Sequence, residues 1–281
     1  MLLADAHGHD GLARQPDRFR EQRISRTLSL VNFALHADDC VDSTSERAFA
    51  ALRDGTARHG DVHWAREQTA GRGRRGEAWH SARDEGMYAS VVLLPSEPIP
   101  PAALTMAAGT AVCAAVRELG VAAARLKWPN DVVVESAKLA GILVETRGLD
   151  PLRPHYVVGI GVNVAQREFP AELVRERAVT SLALCGASAS VESVLERVTE
   201  HLERALDELE RSPDRIASAY LDATELRGRE VVLEMPEGEL RGHLAGLSLA
   251  RGVELARNGG SRSFAPLEHV RQLRAAPEEK K

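Results

Sequence analysis

The order of secondary-structure signals along this chain restricts its fold more than any other feature of the sequence. From residue 38 to about residue 225, short runs rich in β-branched residues alternate with longer runs whose apolar residues repeat every three or four positions. This alternation predicts a mixed α/β architecture with helices packed on a sheet. The predicted strands are 62–65, 88–94, 132–135, 139–145 and 156–164.

Two long segments carry a clear helical period. Residues 104–119 follow two prolines and end before Gly120, and residues 191–209 form one apolar stripe behind Ser190, a favourable N-cap. A shorter helix is predicted over 46–53, directly after a cluster of hydroxyl side chains. The apolar stripes predict core positions rather than a cofactor site.

The pattern changes after Leu226 to short alternating runs separated by Gly-containing turns. This pattern predicts a compact five-strand barrel. We therefore divide the chain into an extension over 1–37, a main domain over 38–226, the barrel over 227–274 and a disordered charged tail over 275–281.

Composition excludes several classes of protein. The 281 residues hold 36 Lys and Arg against 41 Asp and Glu, a net charge of −5, so no general basic surface holds nucleic acid. The sequence has neither a membrane-length apolar run nor a signal peptide at its start, which predicts a cytoplasmic protein. Three widely spaced cysteines, Cys40, Cys113 and Cys185, predict free thiols.

The strongest local signal is the segment 68–76, QTAGRGRRG, which follows a predicted strand. Gly71 and Gly73 allow the backbone to approach a ligand closely, and Arg72, Arg74 and Arg75 supply planar donor groups that suit carboxylate and phosphate. An anion is the expected ligand. On composition alone, a non-catalytic module that contacts RNA through this Arg/Gly loop is an open alternative.

A second polar segment, KWPND, places Lys127, Asn130 and Asp131 at a turn before a strand, and Lys138 begins the following strand. Taken alone, this segment is equally consistent with an ordinary turn between strands. The run 159–164, GIGVNV, places glycines inside a strand, where they weaken it unless a ligand or another chain segment comes close.

The chain resembles the catalytic domain of biotin protein ligases in several segments, which are, in order, DSTS at 42–45, QTAGRGRRG at 68–76, Trp79, YAS at 88–90, KWPND at 127–131, KLAGILVE at 138–145 and GIGVN at 159–163. The resemblance covers roughly residues 38–226, and the final segment is similar to that family's small SH3-like domain. It implies a fold akin to class II aminoacyl-tRNA synthetases. It also implies a reaction that uses ATP and magnesium to form biotinyl-5′-AMP and then transfers biotin to a lysine of a biotin carboxyl carrier domain.

The resemblance also assigns residues to roles. The biotin-binding residues it implies are Ser43, Thr44, Ser45, Gln68, Gly71, Arg72, Gly73, Arg74, Lys138 and Gly141. Those implied for ATP or the adenylate are Arg74, Arg75, Trp79, Asn130, Lys138 and Asn163. The implied catalytic residues are Lys138, Arg74, Asp131 and Lys127, and Asp131 also assists magnesium.

Asp131 is further expected to accept the proton of the attacking carrier lysine, because a lysine amine with a pKa near 10.4 is almost fully protonated at neutral pH. Residues 1–37 are too few for a complete winged DNA-binding domain, so no DNA partner is expected. The oligomeric state, a homodimer included, is left open.

Lipoate or octanoate ligation is the alternative within the same fold, and the predicted C-terminal barrel favours biotin. Two departures from the family pattern affect the loop. Glu77 stands where the family often has a basic residue, and the segment 81–86 lacks the usual proline and first glycine. We expect the Gly/Arg loop to be mobile until an adenylate binds.

Overall fold

A seven-stranded mixed sheet forms the centre of the molecule in the computed structural model, which describes residues 31–148, 150, 152–257 and 260–277. The strands are β1 (Ala34–Val41), β2 (Asp61–Gln68), β3 (Gly86–Leu93), β4 (Ala124–Lys127), β5 (Asp131–Val134), β6 (Ala137–Glu145) and β7 (Tyr156–Asn163). Their order is β1-β2-β3-β7-β6-β5-β4. The β1–β2 pair is parallel and the other pairs are antiparallel.

Five helices accompany this sheet: α1 (Thr44–Arg53), α2 (Pro101–Glu118), α3 (Ala171–Glu176), α4 (Val191–Arg211) and α5 (Pro213–Ala223). The two long predicted helices are confirmed as α2 and α4. The Ser190 hydroxyl caps α4 by accepting a hydrogen bond from the Ser193 backbone N–H, at 3.1 Å. The mixed α/β class is confirmed as well.

Alternation along β3 and β7 separates the two faces of the sheet. Val91 and Val158 belong to the large core that also holds the buried side of α2 and α4. Val92 and Val157 pack with Phe49 of α1 in a small cluster on the opposite face. That second face carries the polar and glycine positions of both strands, so it is the face on which a site can form.

A second, antiparallel sheet follows α5. It contains β8 (Glu230–Met235), β9 (Gly238–Ser248), β10 (Gly252–Ala256), β11 (Arg262–Ala265) and β12 (Gln272–Ala275), in the order β11-β10-β9-β8-β12. Five strands after Leu226 were predicted. Leu244 and Leu255 of this sheet belong to the same buried cluster as the helices, so the two sheets share one core.

Trp128 connects the KWPND turn to the second sheet. Its indole Nε1 donates to the Val270 carbonyl at 2.9 Å, and its ring meets the ring of Tyr220 edge-on with centroids 6.0 Å apart. The Tyr220 hydroxyl in turn donates to the Pro129 carbonyl at 2.9 Å. The turn is thereby held between α5 and the second sheet.

Two strands that the sequence pattern does not identify complete the large sheet. β1 is an edge strand with mostly exposed side chains, so it lacks a buried apolar repeat. β4 has four residues and merges with the KWPND turn. β1 begins before the proposed boundary at residue 37, and β12 ends at the first residue of the proposed tail; residues 1–30 and 278–281 lie outside the described residues.

The three cysteines are free thiols, as predicted. Burial raises the pKa of the Cys113 thiol to about 11. Among the described residues, no helix is both long and apolar enough to cross a bilayer.

The parallel β1–β2 pair should make stability depend on pH. His63 stacks on His36 with ring centroids 5.0 Å apart, and burial, together with the His36 ring, lowers the pKa of the His63 imidazole. The unfolded chain binds a proton there near pH 6.5, so the free energy of unfolding should fall as pH drops below about 6.5.

We expect His63→Gln to reduce the fall in melting temperature between about pH 7.5 and about pH 5.5. Thermal denaturation at both pH values measures this, with His243→Gln on the exposed side of β9 as the control. If His63→Gln keeps the wild-type pH dependence, another group is responsible for the loss of stability at low pH.

Candidate active site

One cavity of about 550 Å³ opens on the α1 face of the large sheet. The start of α1, strands β3, β6 and β7, the Gly/Arg loop and the KWPND turn surround it. The sequence-predicted site residues that line it are Ser43, Thr44, Ser45, Gln68, Arg72, Gly73, Arg74, Arg75, Trp79, Lys127, Asn130, Asp131, Lys138 and Gly141.

The floor of the cavity is made of three glycines, Gly141, Gly159 and Gly161. Gly141 pairs with Gly161 across β6 and β7, and Gly159 pairs with Ser90 across β7 and β3. Glycine is favoured at 161, because a Cβ there would lie 2.4 Å from Cε2 of the Trp79 indole and would force the ring or the strand to shift. A Cβ at Gly141 would lie 3.0 Å from Cζ3 of the same ring. The strand-interior glycines thus make room for an aromatic ring.

The Trp79 indole therefore lies against two neighbouring strands of the sheet, β6 and β7. Its Nε1 is buried without a hydrogen-bond partner among the described residues, and the Lys138 Nζ lies 5.3 Å from the ring centroid. A buried donor without a partner is costly, which marks this edge of the ring as a place where a ligand acceptor is favourable.

A neutral polar end of the cavity begins at the first turn of α1. Gln68 Oε1 accepts from the Thr44 backbone N–H at 2.9 Å, and the Thr44 hydroxyl lies 2.8 Å from the hydroxyl of Ser90. Ser45 Oγ lies 3.0 Å from the same Ser90 oxygen. Ser90 was not predicted as a site residue, although a lone serine inside the apolar run of β3 is the signal that could have identified it.

The opposite end of the cavity is cationic. Lys138 Nζ lies 2.8 Å from Asp131 Oδ1, with the two side chains only 16% and 22% exposed. Arg74 reaches across from the loop and donates to Asn130 Oδ1 at 3.1 Å, and Asn130 Nδ2 donates to the Ile142 carbonyl at 2.8 Å. The loop arginine and the KWPND turn are thereby joined.

Arg72 is neutralised by two acids rather than left free. Its guanidinium lies 2.8 Å from Glu46 and 2.9 Å from Glu145. Arg147 also donates to Glu46, at 2.9 Å, and this hydrogen bond is the main cause that holds the pKa of the Glu46 carboxyl below its usual range. The network fixes the beginning of the loop against α1 and β6.

The unusual Glu77 also has a cationic partner. Arg177, which follows α3 and lines the cavity, donates to Glu77 Oε2 at 2.8 Å. That hydrogen bond lowers the pKa of the Glu77 carboxyl. The negative charge that departs from the family pattern is therefore balanced locally. Its partner was not predicted, because 100 residues separate the two in sequence.

Two predicted residues do not line the cavity. Gly71 is buried under the loop, where a Cβ would lie 2.6 Å from the Trp79 carbonyl oxygen. Asn163 donates through Nδ2 to the Thr180 carbonyl at 2.9 Å, and the Thr180 N–H donates to the Lys138 carbonyl at 2.9 Å. Both residues thus support cavity residues from behind.

The second sheet closes one side of the cavity with residues that the sequence did not predict. These are Glu234, Arg271, Gln272, Leu273 and Arg274. They add two arginines and one glutamate to the lining of the cavity.

Comparison with known proteins gives a consistent result. Residues 38–163 match the model of the biotin/lipoate A/B protein ligase family. The biotin–[acetyl-CoA-carboxylase] ligase of Mycobacterium tuberculosis is 33% identical over 202 residues, which cover 70% of this chain and 73% of that protein.

The bifunctional ligase/repressor BirA of Bacillus subtilis is 33% identical over 167 residues. The match covers 58% of this chain and 51% of BirA, so the chain spans about half the length of that relative. Among solved structures, a biotin protein ligase from Aquifex aeolicus in complex with biotin and ATP superposes with a TM-score of 0.71. It is 30% identical, and the match covers 86% of this chain and 99% of that one.

The close contact between Trp79 and Gly161 can be tested by substitution. We expect Gly161→Ala to lower the free energy of unfolding by about 1–3 kcal/mol, because the added methyl overlaps the Trp79 ring and the ring or the strand must shift. Gly159→Ala is the matched control: its Cβ would lie 3.3 Å from Ser45 Oγ, so the loss should be smaller. Urea denaturation measures both, and equal losses would contradict this packing.

Proposed function

The chain belongs to the biotin protein ligase family, and on that premise we propose that it activates biotin with ATP and transfers it to a lysine of a biotin carboxyl carrier domain. The observation that carries the proposal is the pairing of two unlike ends in one cavity. Hydroxyls and an amide lie at one end, cations at the other, and an indole on a glycine floor lies between them. A molecule with a neutral polar head and a carboxylate tail fits this arrangement.

In the first step, an oxygen of the biotin carboxylate attacks the α-phosphorus of ATP. The new oxygen–phosphorus bond forms as the bond to the leaving pyrophosphate breaks, giving biotinyl-5′-AMP. Two anions must approach each other, and Lys127, Lys138 and Arg74 supply the positive charge that offsets their repulsion. The ring head of biotin would lie against Ser43, Thr44, Ser45 and Gln68, with Arg72, Gly73 and Gly141 beside it.

Trp79, Arg75, Asn130 and Asn163 are proposed for the nucleotide half. The unpaired indole Nε1 and the exposed guanidinium of Arg75 support a ligand at this place, whereas the amide of Asn163 would act through the segment that it holds behind Lys138.

Magnesium is proposed to bind with the nucleotide. Asp131 lies among the cavity cations, and within the described residues no group of three acidic, histidine or cysteine side chains could hold a metal. Magnesium commonly takes one or two carboxylates and completes its shell with phosphates and water. Asp131 with the phosphates of ATP matches that pattern, and the ion would neutralise phosphate charge.

In the second step, the carrier lysine must lose a proton before its neutral amine attacks the acyl carbon, and AMP then leaves. Asp131 is proposed as the acceptor. In the free protein its Oδ1 is paired with Lys138 at 2.8 Å. Phosphate oxygens can replace Asp131 as partners of Lys138, which would leave the carboxylate available as a base.

At the level of the fold, we propose that the main domain over 38–226 shares the class II aminoacyl-tRNA synthetase-like arrangement and that the five-strand sheet within 227–274 is an SH3-like barrel. The five antiparallel strands in the order β11-β10-β9-β8-β12 and their own buried leucines and valines support a small β domain of this kind. A cytoplasmic location is proposed from the reaction, which uses ATP.

The direct test incubates the protein with ATP, magnesium, biotin and a carrier domain, and measures the mass of the carrier. We expect one added biotinyl group, and none when the carrier lysine is replaced by arginine. Lipoate in place of biotin is the alternative arm: a lipoyl product with no biotinyl product would overturn the proposal.

Lys138→Gln should reduce the rate of adenylate formation by about 100–1,000-fold, because a largely desolvated charge that stabilises the transition state is lost. The measurement is single-turnover release of pyrophosphate. Arg215→Gln, at an exposed position on α5, serves as the control and should keep the wild-type rate. A tenfold or smaller loss in Lys138→Gln would remove this lysine from the catalytic step.

Asp131→Asn should slow transfer to the carrier more than it slows adenylate formation. The amide keeps the size of the side chain but cannot accept the lysine proton. The two steps are followed separately, by pyrophosphate release and by biotinyl transfer from preformed adenylate. Asp207→Asn on α4 is the matched control. An equal loss in both steps would rule out Asp131 as the base.

A further inference from the structure

The hydroxyl of Ser90 lies at the centre of a continuous chain of hydrogen bonds at the neutral end of the cavity. Ser90 is fully buried on β3 and lies 2.8 Å from the Thr44 hydroxyl and 3.0 Å from the Ser45 hydroxyl. A hydroxyl can donate only one hydrogen, so the direction of each bond in the chain depends on its neighbours.

Gln68 fixes the direction at one end. The Thr44 backbone N–H can only donate, so the atom that it meets at 2.9 Å is Oε1. The Ser81 hydroxyl donates to the Trp79 carbonyl at 3.2 Å, so it accepts from Gln68 Nε2 at 2.8 Å. The two ends of the amide therefore agree on one orientation.

The orientation of Gln68 also determines which hydroxyl donates in each of the remaining hydrogen bonds. The Thr44 hydroxyl donates to Gln68 Oε1 at 3.1 Å, since a carbonyl oxygen can only accept. Ser90 must consequently donate to Thr44, and Ser45 must donate to Ser90. Each hydroxyl hydrogen is used inside the protein, and the oxygens facing the cavity keep only lone pairs.

We propose that Ser90 is a positioning residue that makes this end of the cavity a site for N–H groups. Thr44 and Ser45 offer acceptors, and the second N–H of Gln68 Nε2 offers one donor. The complementary ligand is a cyclic urea, with two N–H groups beside one carbonyl. This inference rests on the proposed function and explains how the cavity would distinguish a ureido ring from a dithiolane ring, which has no N–H group.

The packing leaves room for this arrangement. Gly159 lies directly opposite Ser90, and a Cβ there would come within 3.3 Å of Ser45 Oγ. Because position 159 has no side chain, Ser45 can reach Ser90. The Ser45 and Thr44 hydroxyls are themselves on buried residues, so water competes weakly for their lone pairs.

The test compares two ligands on the full chain by titration calorimetry without ATP: biotin, and the analogue in which one ureido N–H is replaced by oxygen. The wild-type protein should reject the analogue, since lone pairs would face lone pairs. In Ser90→Ala the Ser45 hydrogen loses its acceptor and can turn toward the ligand. We expect the ratio of the two dissociation constants to fall at least tenfold, mainly through weaker biotin binding.

Ser90→Cys gives a second reading, because a thiol of similar size is a poor donor and should lower the ratio in the same direction. Ser90→Thr retains the hydroxyl and should keep the wild-type ratio of dissociation constants. Ser181→Ala, which removes the hydroxyl of another buried serine outside the cavity lining, should cost stability without changing the ratio.

If folded Ser90→Ala and Ser90→Cys proteins both keep the wild-type ratio, Ser90 has only a packing role and the inference is wrong. If the wild-type protein binds neither biotin nor the analogue, the proposed function fails instead, so the two failures are distinguishable.

Discussion

The contact between the Trp79 indole and the glycine floor is the constraint on which the rest of the site depends. With the ring 2.4 Å from the position of a Cβ at Gly161, a side chain there would force the ring or the strand to shift. The end of the loop is held against its beginning, since the backbone N–H of Trp79 donates to the Gly71 carbonyl at 2.9 Å. The Gly/Arg segment thus leaves and returns over the same strands, and its three arginines line the cavity.

Charge pairing explains how so many cations can occupy one cavity. Arg72 is held by two acids, Arg177 by Glu77 and Lys138 by Asp131. Partly exposed pairs of this kind contribute little to stability, so a phosphate or carboxylate can replace an acid at small cost. In each pair the acid occupies the position that an anionic ligand group can take. Glu77, which stands in place of the family's usual basic residue, is neutralised by Arg177 on the facing segment.

The sequence predicts most of the buried architecture, because burial imposes a repeat that can be recognised. β3 and β7 carry long apolar runs, whereas β1 is exposed along most of its length and has no repeat to recognise. The site residues cluster as the motifs predict. Ser90 and Arg177 were not predicted, because their partners come from elements distant in sequence. The glycine signal at 159–161 was recognised, but its causes become visible only in three dimensions: the Trp79 ring lies against Gly161 and the Ser45 hydroxyl against Gly159.

The proposed function requires the two ends of the cavity to act on one ligand, so that a carboxylate is joined to a nucleotide. Biotin-dependent exchange of labelled pyrophosphate into ATP tests it most directly, because exchange occurs only if the adenylate forms reversibly in the cavity and it needs no carrier. We expect exchange with ATP, magnesium and biotin together, and none when biotin is omitted or replaced by lipoate. Exchange with lipoate but not with biotin, or no exchange with any acid, would contradict it.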